Sequence, residues 1–377
     1  MNNNRIINVG VLGATGAVGQ RFIQLLEKHQ WFRVVAVGAS SNSVGKLYRD
    51  AVHWLLPTDI PVEIGQLKVV GCDDPSHQAF ASCQIVFSAL DSNVATEIEE
   101  KFRVAGKAVF SNSKNHRYDS DVPIMVCSVN PEHSEVILKQ KAYQQNKGFI
   151  ITNPNCSTTG IVVALKPIAN QFGLHEVVAF TMQSISGAGY PGVPSLDISN
   201  IFYFFIVGNV VPFIGEEEEK IEIETKKILG GLDCNNVKSE YFSNYPVMVS
   251  AHTNRVPVVE GHTICLSIKL KQSATIQQVK DCLENYYPKE LQSLQLPTFN
   301  GNPIVVLEQN NRPQPKLDVN KGNGLKVSVG RIRDGSTSPG ESSFDLRMTL
   351  LVHNTVLGAA GSSIQNAEYC IAKGYIQ

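Results

Sequence analysis

The sequence predicts an α/β protein of two domains: an N-terminal Rossmann-like, doubly wound domain and an α+β domain built on a mixed sheet. The chain has 377 residues, long for a single hydrophobic core. Up to Ile150, short β-branched runs alternate with stretches of helical spacing, the pattern of a parallel sheet wound with helices. Beyond Ile150 the apolar period changes to two, as a mixed or antiparallel sheet with one covered face requires.

Ile6–Leu12 reads as the first strand, Val18–His29 as the helix after it, and Val34–Val37 as the second strand. Ile85–Ala89 and Ala108–Phe110 are further strands, separated by a helix from Val94 to Ala105. An apolar strand through Ile151 ends in Asn153-Pro154-Asn155, and the domain boundary falls at Thr152–Asn155. A helix around Ile161–Asn170 leads into the alternating stretches Val177–Gln183 and Thr263–Leu270. Glu216–Glu219 is an acidic run at a helix start, where the helix dipole favours it.

Composition excludes several classes of function. With 43% apolar residues, 18% charged residues and a net charge of −1, nothing draws the chain to nucleic acid or to an anionic membrane. Met1–Arg5 runs directly into a strand pattern, without the basic region, apolar stretch and cleavage site of a signal peptide. The most apolar segment, Ile201–Ile214, is interrupted by Gly208, Asn209 and Pro212, whereas a bilayer span needs about 20 apolar residues. It reads as buried or packed in an interface. Eight scattered cysteines without a CxxC pair suggest free thiols in a reducing compartment, so a cytoplasmic location is expected.

Gly13-Ala14-Thr15-Gly16-Ala17-Val18-Gly19 follows the first strand and opens a helix. Gly13 permits a tight turn, Gly16 lets backbone approach a phosphate, and Gly19 lets the helix pack on the strand. The helix terminus then offers free N–H groups to a dinucleotide pyrophosphate. An NAD site would place Asp or Glu at the end of the second strand. Here the chain runs Ser40-Ser41-Asn42-Ser43, with no acid before Asp50 and with Lys46 nearby. Hydroxyls that carry no charge can bind a 2′-phosphate without repelling it, so NADP is the expected cofactor; a plain Ser/Asn-rich surface loop is the alternative.

Asn155-Cys156-Ser157-Thr158 starts a helix immediately after a strand. A helix N-terminus favours the thiolate, the form that attacks carbonyls. The first-turn amides and the Asn155 side chain are candidate oxyanion donors. The other seven cysteines read as structural. Of nine histidines, His262 stands out because Arg255, Gly261 and His262 come together just before a strand. It is the candidate acid/base, and Arg255 the candidate carboxylate clamp.

Gly13–Gln20, Asn153-Pro-Asn-Cys-Ser-Thr158 and Arg255-Val-Pro-Val with His262 seven residues on together resemble aspartate-semialdehyde dehydrogenase, in the version found in fungi and some prokaryotes. The resemblance covers nearly the whole chain, in order. It implies that Cys156 is the acyl-enzyme nucleophile, His262 the acid/base and Gln183 a residue that positions substrate. It implies Arg255 on the substrate α-carboxylate, Glu224 on its α-amino group, and Lys227 and Arg117 at the phosphate with Asn130 nearby. Ser186, Gly187 and Asn354 correspond to cofactor contacts, joined by Ser88 at the end of the Ile85–Ala89 strand. The last helix of the family folds back onto the cofactor domain. The expected domains are therefore residues 1–155 with 355–377, which bind NADP, and 156–354, which carries catalysis and dimerisation. A homodimer or homotetramer is implied.

Two features depart from the family pattern. Cys127-Ser128 stands where Pro-Glu is usual, and Ser199–Ile206 reads as an apolar insertion of about eight residues. The reaction implied is NADPH-dependent reductive dephosphorylation of an acyl phosphate, L-aspartyl-4-phosphate, to the semialdehyde, on the route to lysine, methionine and threonine. N-Acetyl-γ-glutamyl-phosphate reductase is the nearest rival; an acetylated amino group needs no acid such as Glu224. Glyceraldehyde-3-phosphate dehydrogenase would need the acid that the cofactor loop lacks. A catalytically inactive dinucleotide sensor would leave the cysteine segment idle.

Overall fold

The computed structural model describes residues 6–188, 206–236, 238, 240–336 and 343–376. Residues 199–205 of the apolar stretch singled out above lie outside the described residues.

The first sheet contains β1 (Ile7–Leu12), β2 (Phe32–Ala39), β3 (Val69–Gly71), β4 (Ile85–Ser88), β5 (Ala108–Ser111) and β6 (Phe149–Thr152). Its strands lie in the order β3-β2-β1-β4-β5-β6, and every pair is parallel. This is the doubly wound order, whose reversal beside β1 leaves a crevice at the carboxyl ends of β1 and β4. Helices α1 (Ala17–Leu26) and α2 (Ser92–Val104) follow β1 and β4. On α1, Phe22, Ile23 and Leu26 turn into the core with Val9, Val11 and Phe87.

After β6, α3 (Cys156–Phe172) crosses into a second core and leads to β7 (Leu174–Gln183). Helix α4 (Glu217–Leu229) and strands β8 (Met248–Arg255) and β9 (His262–Leu270) follow. Then come α5 (Ile276–Glu284), β10 (Ile304–Leu307), β11 (Val327–Asp334) and β12 (Leu346–Val352). The second sheet runs β8-β7-β9-β12-β11-β10, with β8–β7 and β11–β10 parallel and the other pairs antiparallel. It is the mixed sheet that the sequence predicts. On β9 the alternation is complete: Ile264, Leu266 and Ile268 are buried under the helices, and Thr263, Cys265 and Ser267 face the other side.

The last helix, α6 (Gly361–Ala372), packs Ile364, Ala367 and Ile371 into the core of the first sheet. One segment inside residues 156–354 also belongs to that core, because Leu291, Leu296 and Phe299 pack there with Tyr369 and Cys370. The two cores are thus tied together twice beyond the β6–α3 connection. Cys127 is fully buried in the first core, where a thiol packs as a small apolar group.

Candidate active site

Two hollows meet at the carboxyl ends of β1 and β4. The larger, about 1040 Å3, is lined by Gly13, Thr15, Gly16, Ser40 and Ser41, and the smaller, about 290 Å3, by Cys156 and its neighbours. Leu90 and Asp91 line both, so one continuous cleft runs from the Ser40 loop to the thiol.

Gly13 has φ +71°, and a Cβ there would lie 2.5 Å from the Ala89 carbonyl oxygen. A Cβ on Gly19 would lie 2.1 Å from the Gly13 oxygen, so this glycine serves helix–strand packing and does not line the cleft. Ala17 begins α1, and Val18 reaches the smaller hollow. The Ser43 amide donates to the Ser40 carbonyl at 2.9 Å and closes the loop turn. Ser88 departs from the expectation. It is fully buried, and its hydroxyl donates to Glu99 Oε1 at 2.6 Å, beneath the cleft floor.

Strand β6 stops at Asn153-Pro154-Asn155 because proline ends the ladder, and α3 begins at Cys156. Asn155 caps that helix: its Oδ1 accepts from the Ser157 and Thr158 amides at 2.9 and 3.2 Å. Two of the amides expected to hold an oxyanion are therefore already bonded. Asn155 Nδ2 is engaged as well, donating to Glu217 Oε2 at 2.6 Å.

Cys156 Sγ lies 3.0 Å from His262 Nε2. His262 is the first residue of β9 and fully buried, and its Nδ1 meets the Ser184 amide at 3.0 Å. Burial pushes His262 down to about 3, with Arg255 and His353 acting the same way. Burial also pushes the Cys156 thiol up to about 12, with the Glu217 carboxylate adding to it and Arg255 and Arg117 opposing. The helix N-terminus alone therefore does not produce a thiolate here. In the substrate-free site desolvation outweighs it, and thiol and imidazole are both neutral near pH 7.

Arg255 ends β8 in register with Gln183 on β7 and donates from Nη1 to the Ser184 carbonyl at 2.6 Å. Gln183 Nε2 lies 3.3 Å from Glu217 Oε2. Ser186, Gly187 and Asn354 line the smaller hollow. A Cβ on Gly187 would lie 2.9 Å from both Arg255 Nη1 and His262 Cε1, so bare backbone is what lets these groups converge.

Three of the expected substrate contacts lie outside the lining of the smaller hollow. Glu224 is fully buried; Oε1 accepts from Arg117 Nη1 at 2.8 Å and Oε2 from the Asn155 amide at 2.6 Å. It does not line the smaller hollow, and from its buried place it braces Arg117 and the start of α3. Lys227 points away from the hollow: Nζ donates to the Arg117 carbonyl at 2.7 Å and lies 4.5 Å from the Phe242 ring centre. Burial lowers it to about 8. Asn130 is fully buried and bonds the backbone at Val126 and Ile124, both at 2.9 Å. The groups that do face the hollow lie two turns earlier on α4: Glu217 and Lys220, with Lys220 Nζ 3.1 Å from Glu217 Oε1. Lys114, ion-paired with Glu216, and Arg117 complete that wall.

Residues 8–137 match the family described as semialdehyde dehydrogenase, NAD binding domain, and residues 165–357 match semialdehyde dehydrogenase, dimerisation domain. Aspartate-semialdehyde dehydrogenase of Schizosaccharomyces pombe is 47% identical over 98% of this chain and 99% of its own. The chain belongs to the aspartate-semialdehyde dehydrogenase family. A crystal structure of the Candida albicans family member with NADP superposes with a TM-score of 0.86 at 42% identity, covering 98% of this chain and 100% of that one. Aspartate semialdehyde dehydrogenase II of Vibrio cholerae, complexed with ASA, gives a TM-score of 0.74 at 26% identity over 97% of this chain and 98% of that one.

Within this family member, the signal that would have located the charged wall is present in the sequence twice. Glu217-x-x-Lys220 and Glu224-x-x-Lys227 are the same pattern two helical turns apart, on nearly the same face of α4. Only depth separates them, and depth is a tertiary property.

Proposed function

We propose that the chain reduces L-aspartyl-4-phosphate to L-aspartate 4-semialdehyde with NADPH, releasing phosphate through a thioester on Cys156. The carrying observation is Cys156 Sγ at 3.0 Å from His262 Nε2, set where the long cleft meets a hollow walled by Lys114, Arg117, Lys220 and Glu217. The Cys156 thiol gives its proton to His262, and the S–C bond forms as the C–O bond to phosphate breaks. Phosphate leaves toward Lys114, Lys220 and Arg117 and takes its proton from solvent. The dinucleotide, when bound, supplies the hydride. His262 returns its proton to the sulfur as the reduced adduct collapses to aldehyde. Arg255 holds the α-carboxylate and Glu217 the α-amino group.

The cleft suits NADP. At Gly16, the N-cap of α1, a Cβ would meet only the Gly13 oxygen at 3.5 Å, leaving bare backbone toward the cleft. Ser40 and Ser41 line it where an NAD site would carry an acid. Charge-assisted hydrogen bonds contribute about 1.5–3 kcal/mol each, so two hydroxyls favour NADP by on the order of a hundredfold in kcat/KM. Equal kcat/KM with NAD would remove the 2′-phosphate from this loop.

The uncovered face of the second sheet carries exposed Phe180 and Met248, with Phe180 stacked on His252 at 4.8 Å, and suits a homodimer. Among the described residues no helix is long and apolar enough to cross a membrane. All eight cysteines are free, which supports a reducing, cytoplasmic compartment.

Running the reaction backward tests the assignment, with NADP, phosphate and either aspartate semialdehyde or N-acetylglutamate semialdehyde. NADPH should form with the first; formation with only the second would transfer the chain to the acetylated substrate. The two α4 carboxylates should separate cleanly. Glu217→Gln is expected to raise KM for the semialdehyde and leave stability unchanged. Glu224→Gln should cost roughly 3 kcal/mol in urea unfolding, because Arg117 then loses its buried partner. The opposite pattern would restore Glu224 to the substrate site.

A further inference from the structure

We infer that Lys227 is a positioning residue of the cationic wall: from the buried side of α4 it fixes Arg117 relative to Lys220 and so sets the spacing of two cations that receive phosphate. The inference rests on the proposed release of phosphate toward that wall and adds to it what holds the wall in register.

The wall is assembled from two places in the fold. Lys114 and Arg117 stand on the loop after β5 of the first sheet, and Lys220 stands on α4, whose Ile221 and Ile228 pack in the second core. A phosphate held between them needs loop and helix at one fixed separation. Lys227 lies two turns from Lys220, about 10 Å further along the same helix. Whatever Lys227 holds is therefore registered against Lys220 by a stiff rod.

What it holds is the backbone of the Arg117 loop. Nζ donates to the carbonyls of Arg117, Asp119 and Val122 at 2.7, 3.4 and 3.4 Å. An ammonium has three hydrogens and no lone pair, so three carbonyls use it completely. Glu224, one turn earlier, takes the other end of the same residue, since its Oε1 accepts from Arg117 Nη1 at 2.8 Å. One Glu-x-x-Lys pair thus grips Arg117 at its guanidinium and at its own carbonyl. The Phe242 ring covers the ammonium from a further side, with its centre 4.5 Å from Nζ. Lys227 does not line the smaller hollow, so its effect on phosphate passes through Arg117.

The groups around the ammonium set when the grip is complete. Burial lowers Lys227 to about 8, and Asp119 of the loop, Glu224 of α4 and Asp121 of the loop oppose that fall. Asp119 also lies 2.7 Å from His116 Nδ1, and Asp121 lies 3.9 Å from Arg103 Nη1. His133, in the turn over residues 131–139, feels Lys227 but is itself lowered to about 4 by burial, so it is neutral near pH 7. An amine that has lost its proton has one hydrogen fewer and no charge to strengthen its bonds. The grip is therefore full below the Lys227 value and weakens as pH rises through it.

The test runs the reaction backward on full-length Lys227→Met and Lys227→Arg, with NADP, aspartate semialdehyde and phosphate. Methionine keeps an apolar stem and leaves the three carbonyls without a donor; arginine keeps both charge and donors. Lys227→Met should raise KM for phosphate by at least about tenfold near neutral pH. Its KM for aspartate semialdehyde should hold, because Arg255 and Glu217 do not stand on the loop, and iodoacetamide should alkylate Cys156 at the parent's rate. Lys227→Arg should return the phosphate KM to within a few-fold of the parent. From about pH 8 to 9.5 the parent's phosphate KM should climb severalfold while that of Lys227→Arg stays level. A Lys227→Met variant with the parent's phosphate KM overturns the inference, and so does one in which both KM values rise together. If Lys227→Met does not fold, the pH profiles decide, and coincident curves for the parent and Lys227→Arg contradict the role of Lys227. A parent that forms no NADPH from aspartate semialdehyde would sink the reaction assignment itself, an outcome separate from any result at Lys227.

Discussion

Replacing Cys156 with alanine is expected to reduce turnover by at least about 10^4-fold while NADP binds as it does to the parent. The loss is large because the thiol forms the bond on which the other groups act; His262, Arg255 and the cationic wall have no acyl group to hold without it. No neighbouring thiol can substitute. Cys156 is the one cysteine, among the described residues, that lines the smaller hollow. Cofactor binding should survive because the start of α3 is held by the Asn155 side chain on the Ser157 and Thr158 amides, not by sulfur. The glycine turn and Ser40 loop lie in the other hollow. Titration of cofactor fluorescence and mass analysis of acyl-enzyme after mixing with substrate measure the two halves. A variant that retains turnover, or a parent that accumulates no acyl adduct on Cys156, would exclude the covalent route.

Much of the fold is legible because its elements obey one period each. β1, β4 and β5 are short, mostly apolar runs buried on both faces, and β9 alternates without exception. The helix α6 is different. Ser362, Ser363, Gln365, Asn366 and Glu368 read as a polar face, yet every one is buried. Four of the five bond partners remote in sequence: Asn153 Nδ2 donates to Ser363 Oγ at 2.8 Å, Gln365 Nε2 to the Thr298 carbonyl at 3.5 Å, Asn366 Nδ2 to the Met125 carbonyl at 2.9 Å, and Glu368 meets His29 at 2.8 Å, while the buried Ser362 hydroxyl and Asn366 Oδ1 have no hydrogen-bond partner. A helix inserted between other elements buries polar side chains when most of them find a bond. No periodicity announces this, and the placement of the tail was implied only by family resemblance.

The site divides along the same line. Cys156, His262 and Arg255 are legible because each stands in a local context that its chemistry needs: a strand-to-helix turn, a glycine before a strand, a strand end. Glu217 and Lys220 were missed because Glu224 and Lys227 repeat their pattern on the same helix, and burial alone tells the strut from the lining. Ser184 carries no local signal. It is one hydroxyl among many until the antiparallel β7–β9 pairing brings the Gln183-Ser184 corner beside His262.

Arg255→Lys is expected to lower kcat for aspartate semialdehyde on the order of a hundredfold and to raise KM as well. Arg255 is 8% exposed, ends β8 beside Gln183, and already commits Nη1 to the Ser184 carbonyl. Its planar fork can hold that carbonyl and still offer parallel N–H groups to a carboxylate. A lysine keeps the charge but is a single point on a flexible stem, so it can satisfy one partner or the other. If it takes the substrate, the Ser184 corner loosens; if it takes the carbonyl, the α-carboxylate loses its clamp. Displacement of the reacting carbon by about 1 Å costs on the order of a hundredfold in rate, so the effect should appear in kcat and not only in affinity. Retention of the positive charge beside the thiol should leave the pH dependence of Cys156 alkylation close to the parent's. Chemistry and recognition are thereby separated in one variant. A lysine variant that turns over aspartate semialdehyde as the parent does would make Arg255 a brace for Ser184, and the carboxylate site would have to lie on the Lys114–Lys220 wall.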